Sequence, residues 1–125
     1  MNFPHLLLGY FTFICLGCHK GSFINYDELL FCTEQFVTIT IQIKGLPPSD
    51  FYTIRLATMD TLRSDFIYEN YYPVVNDNLV KQLQRNQTEA FVFIGLRPEN
   101  PIFETFEILS DGCHVIKING ADTID

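Results

Sequence analysis

The stretch Val37 to Lys44, "VTITIQIK", most constrains the fold of this chain. Val37, Ile39, Ile41 and Ile43 alternate with Thr38, Thr40, Gln42 and Lys44. A period of two puts every second side chain on one face, so the run predicts a strand with one buried side. It also excludes a helix, whose apolar stripe needs a period of 3.6.

"GLPPSD" ends this strand, because Pro47 and Pro48 donate no ladder hydrogen bond and favour a turn. Phe51 to Ala57 follows, with Tyr52, Ile54 and Leu56 on one face and Thr53 and Arg55 on the other. The two runs are expected to form an antiparallel pair. "DFIYENYYPVV" supplies strand-forming residues from Phe66 to Tyr72, and Pro73 marks them as an edge strand. "NDNLVKQLQRN" reads as a short helix near 78–85, capped by Asp77 or Asn78 with Leu79, Val80 and Leu83 as its apolar stripe, with a strand as the alternative.

Ala90 to Leu96 alternates less cleanly, since Phe91, Val92, Phe93 and Ile94 are all apolar. Such a strand is covered on both faces, or turns one face to a partner. Phe103 to Leu109 and His114 to Ile118 complete the set, linked by a turn at Ser110-Asp111-Gly112. Short strands with turns about every ten residues predict an all-β antiparallel sandwich.

"FVFIGLRPENPIFETFEIL" is similar to the E–F corner of fibronectin type III domains. There too a strand ends in Gly-Leu-x-Pro and the next begins a few residues on. Gly95, Leu96 and Pro98 carry the resemblance, over about 20 residues. It implies an immunoglobulin-like or fibronectin type III-like sandwich and no particular function. The family's core Trp is missing, and Ile102 or Phe103 stands at the corner Tyr position.

The first residues address the chain rather than fold it. Leu6 to Gly17 is an apolar run too short for a membrane span, and it suits the core of a secretory signal peptide. The expected organisation is a signal peptide at 1–18, an N-terminal segment and first edge at 19–35, the sandwich at 36–120 and a tail at 121–125. Cleavage after Gly17 leaves Cys18, Cys32 and Cys113, whereas cleavage after Cys18 leaves only the last two. Cys32 and Cys113 are expected to pair in an oxidising compartment. Cys18, if retained, is a free thiol or a route to a covalent dimer. Asn86-Gln87-Thr88 is an N-glycosylation acceptor, which belongs on the surface of a secreted protein.

Composition narrows the function classes. A net charge of −7 argues against binding nucleic acid or an anionic membrane surface. Beyond Cys15-Leu16-Gly17-Cys18, which belongs to the expected leader, no metal-ligand spacing or phosphate loop occurs, so no metal and no cofactor is expected. Cys113 and His114 are neighbours in sequence and point to opposite faces of a strand, as do Glu104 and Glu107, so no catalytic residue is expected from either pair.

The candidate site is therefore a surface. Phe66, Tyr68, Tyr71 and Tyr72 gather large, amphipathic side chains near an edge and are the expected contacts for an extracellular protein partner. The alternative is a small secreted carrier with a lipid or other apolar ligand between its sheets, motivated by 12 Phe and the run Phe91–Ile94.

Overall fold

A computed structural model of the chain describes residues 31–125. The expected signal peptide, Cys15, Cys18 and His19 lie outside the described residues.

Among the described residues eight strands form two packed sheets, an all-β sandwich. They are β1 (Thr38–Ile43), β2 (Asp50–Arg55), β3 (Asp60–Leu62), β4 (Tyr71–Asn76), β5 (Glu89–Leu96), β6 (Ile102–Ser110), β7 (Val115–Asn119) and β8 (Thr123–Ile124). One sheet has the order β4-β1-β8, the other β3-β2-β5-β6-β7. The alternation that opens β1 has its expected effect: Ile39, Ile41 and Ile43 are buried. They meet Phe91, Phe93, Phe106 and Ile108 from the larger sheet in one core.

Three expectations need correction. β1 and β2 are not paired; they belong to different sheets, and the Gly45–Ser49 link carries the chain across the sandwich. β1 pairs instead with β4, and β2 with β3 and β5. The polar face of β2 is the inner one. Thr53 stands opposite Phe93 and is buried, while Tyr52 and Ile54 point outward beside Ile94 and Val92. Phe91 and Phe93 are the larger residues, and their claim on the core sets the register of their neighbour. The expected tail contains β8, whose residues pair parallel with Gln42 and Ile43. Hydrogen bonds from Gln42 N to Asp122 O and from Lys44 N to Ile124 O make this short ladder.

β4 is an edge strand, as Pro73 demands, but it runs through the proline rather than stopping there. The register slips between Ile39 and Thr40, which face Val75 and Pro73, so Val74 is the extra residue of a bulge. Phe66 and Ile67 precede the strand and lie in the β3–β4 connection. The expected helix is a single 3₁₀ segment, Asp77–Gln82. Its cap is Asn76, whose side chain accepts from Asn78 N; the expected caps Asp77 and Asn78 lie inside the segment. Leu79, Val80 and Leu83 are buried as the stripe requires.

The Gly95-Leu96-Arg97-Pro98 segment joins β5 to β6, neighbours in one sheet that pair from Glu89↔Ile108 to Gly95↔Ile102. Arg97 holds this connection together, donating to Asn100 O and Leu46 O.

Candidate functional site

The β3–β4 connection crosses from the larger sheet to the smaller and carries the aromatic cluster. Two hydrogen bonds close its last turn: Tyr71 N donates to Tyr68 O at 2.9 Å, and Tyr68 N to Tyr71 O at 3.3 Å. Glu69 takes φ 53° to make that turn, a conformation a side chain adopts only when its surroundings hold it there. Phe66 (70% exposed), Ile67 and Tyr68 (62%) project into solvent, and Tyr71 is exposed beside them.

Tyr72 departs from the expected set. Consecutive strand residues face opposite ways, so once Tyr71 points out, Tyr72 points in. It is buried, with its ring edge-on to Phe51 at 5.1 Å. Three of the four expected contact residues share the surface, and the fourth is core.

A recess of about 250 Å³ opens between β3 and β4, lined by Phe51, Leu62, Arg63, Val75, Asn78 and Leu79 among others. Arg63 at its mouth pairs with Asp50 at 3.0 Å and lies over the Tyr52 ring at 4.9 Å. Both groups of this pair are largely exposed, so water screens it and its role is to hold the arginine in place.

A second cluster escapes sequence reasoning. Cys32 and Cys113 are bonded, with Cα atoms 5.2 Å apart, and this staples the N-terminal segment to the β6–β7 turn. Beside the bridge, His114 lies between two partners. Its Nδ1 is 2.7 Å from Asp77 Oδ2, and its Nε2 is 2.7 Å from the Thr33 hydroxyl. Asp77 also accepts from Val37 N at 2.8 Å and from Val115 N at 2.9 Å.

Burial alone would push the Asp77 carboxyl up. The His114 hydrogen bond and the two backbone donors outweigh it and hold the group below the ordinary carboxylate range. With Asp77 ionised, His114 Nδ1–H is the donor to it.

Carboxylate, imidazole and hydroxyl in this order are the order of an activated nucleophile. Here, however, the carboxylate is engaged by three elements at once and fastens the starts of β1, β7 and the 3₁₀ segment together. Asp111 shapes the adjoining turn by accepting from the Cys113 and His114 backbone N–H groups, both at 2.8 Å. The signal for Asp77 in the sequence was its place before an apolar stripe, which marks a helix cap; its partners are about 40 residues away in each direction.

Asn86 sits in the exposed turn before β5 with φ 60°, its N–H donating to Ser110 O. Its side chain is open to solvent, as a glycan acceptor must be. Among the described residues no helix is long and apolar enough to cross a membrane.

No family model, curated protein or solved structure matches the chain.

Proposed function

We propose that the protein is a secreted, non-catalytic binding module that recognises another extracellular protein. The observation that carries this reading is the exposure of Phe66, Ile67 and Tyr68 on a connection whose final turn is hydrogen-bonded shut. Aromatic side chains presented on fixed backbone lose little entropy on contact and supply large buried area, which is how binding hot spots work. The Cys32–Cys113 bridge and the exposed Asn86 acceptor suit an oxidising, glycosylating route out of the cell.

The test is affinity capture from the native secretion with wild-type protein and with a Phe66→Ser/Tyr68→Ser/Tyr71→Ser variant. Loss of a specific partner at unchanged melting temperature supports the reading. Undiminished capture by the triple variant would remove it. The recess between β3 and β4 bears on a second reading, carriage of a small ligand between the sheets, although Arg63, Ser64, Asn76, Asn78 and Gln82 give it a lining as polar as it is apolar. At about 250 Å³ it lies just below the roughly 300–1,000 Å³ of drug-sized sites, so only a small ligand fits. Native mass spectrometry of protein purified from secretion distinguishes the two, since a carrier retains a bound mass.

A further inference from the structure

The outer face of the five-stranded sheet is apolar where a free sheet should be polar. Antiparallel sheets with one wet face alternate apolar and polar residues, yet the outward positions here are mostly hydrophobic. Ile54, Val92 and Ile94 occupy the middle of this face, on β2 and the central strand β5. Around them Phe103 is 62% exposed, Ile118 51% and Ile116 39%. Ile94 is itself covered, at 8% exposure, but packing among the described residues gives no reason for the exposed Phe103, Ile116 and Ile118, because Phe91, Phe93 and Phe106 already fill the inner side.

The charges on the face are arranged to complement themselves. The register aligns Thr61, Ile54, Val92 and Thr105 in one row across the sheet. Arg63 lies on one side of that row, over Tyr52 at the β3 edge. Glu107 lies on the other side, two residues past Thr105 on β6, and makes no ion pair among the described residues. If a second copy is laid face to face about a two-fold axis between Ile54 and Val92, each Arg63 meets the Glu107 of its mate. Phe103 then falls close to the axis and packs against its own counterpart.

At about 4.8 Å between strands and about 6.8 Å per two residues, the face measures roughly 20 by 25 Å. Two copies therefore cover about 1,000 Å² together, the lower bound of a specific interface.

We propose that this face docks a second copy of the chain as an isologous dimer. The inference does not depend on the partner-binding reading above.

Sedimentation velocity tests it on the chain expressed from its full coding sequence in a secretory host. Mass action makes a dimer concentration-dependent, so about a hundredfold range of concentration is scanned. The wild type is expected to pass from monomer to dimer, and Phe103→Glu to weaken the dimer by more than about tenfold, or about 1.4 kcal/mol. Glu107→Arg should weaken it by placing two arginines together, and Glu107→Arg with Arg63→Glu should restore it. A wild-type protein that stays monomeric throughout overturns the proposal, as does a Phe103→Glu variant that folds normally and dimerises undiminished.

Discussion

Asp77 and His114 stand 37 residues apart in sequence and share a 2.7 Å hydrogen bond, and the same carboxylate accepts from Val37 N and Val115 N, tying three elements together. Asn at position 77 keeps one acceptor oxygen but turns an amide NH₂ toward a site built from donors. One of Val37 N–H and Val115 N–H then faces another donor. Asp77→Asn is expected to lose about 1–3 kcal/mol at neutral pH, the cost of an unsatisfied buried group, read as a lower urea midpoint.

The same carboxylate sets an acid limit. The carboxyls of Asp77 and Asp111 are both held below their ordinary value of 3.8, Asp111 chiefly by the His114 and Cys113 backbone N–H groups. The unfolded chain therefore binds more protons as pH falls, so this stabilisation is complete above 3.8 and is lost as pH drops through the lower folded values. Urea midpoints measured from pH 6 to pH 2 are expected to fall steeply in the wild type below pH 4. An Asp77→Asn/Asp111→Asn variant should show a shallower decline over the same interval, and equal slopes would deny these two groups the role.

The Cys32–Cys113 bridge closes a loop with a sequence separation of 81, worth about 4.5 kcal/mol in the chain-entropy account. Cys32→Ser/Cys113→Ser should lose a stability of that order by equilibrium denaturation. Thr33 is held near His114 by the neighbouring bridge, so Thr33→Ala should cost less in the bridge-free background than in the wild type. The inequality, measured as a double-mutant cycle, is the coupling between them.

Inside the larger sheet one polar atom is stranded. The Thr53 hydroxyl is buried with no hydrogen-bond partner among the described residues, opposite Phe93. Thr53→Val keeps the branched shape and removes an unpaired donor. It is expected to stabilise by about 1 kcal/mol, or about 5 °C in Tm for a domain of this size. A Tm that drops would mean the hydroxyl has a partner after all.

How much of this was legible in the sequence depends on whether the signal was local. β1 announces itself because its alternation and burial agree, β5 shows as an unbroken apolar run, and Pro73 correctly marks an edge. Pairing was not local. Nothing in Val37–Ala57 distinguishes a hairpin from two strands that leave for different sheets. The inner face of β2 was misleading because its outward residues, Tyr52 and Ile54, are as apolar as core residues, and the reason lies in their outer neighbours Val92 and Ile94. β3 and β8 are too short, at three and two residues, for a period to show. The aromatic site was legible as composition, but the fate of Tyr72 required the strand to begin at Tyr71. The Asp77–His114–Thr33 cluster joins residues from three distant segments, and only the fold brings them together.

Gly120 is the hinge that lets the last strand change sheets. It lies between β7 of the larger sheet and β8 of the smaller, with φ +142°. A Cβ there would overlap the ring of Phe106, which has no exposed surface and cannot retreat without disturbing the core. Backbone strain and overpacking each carry about 1–3 kcal/mol, so Gly120→Ala is expected to destabilise by about 3 kcal/mol. The chain can also relieve the clash by giving up β8, whose ladder to β1 is only two residues long. Hydrogen exchange separates the outcomes. If β8 detaches, the Gln42 and Lys44 amides, which donate to Asp122 O and Ile124 O, lose protection selectively while β5 and β6 keep theirs. If the core yields instead, protection falls across all strands together, and a variant as stable and protected as the wild type would contradict the close approach of Gly120 to Phe106.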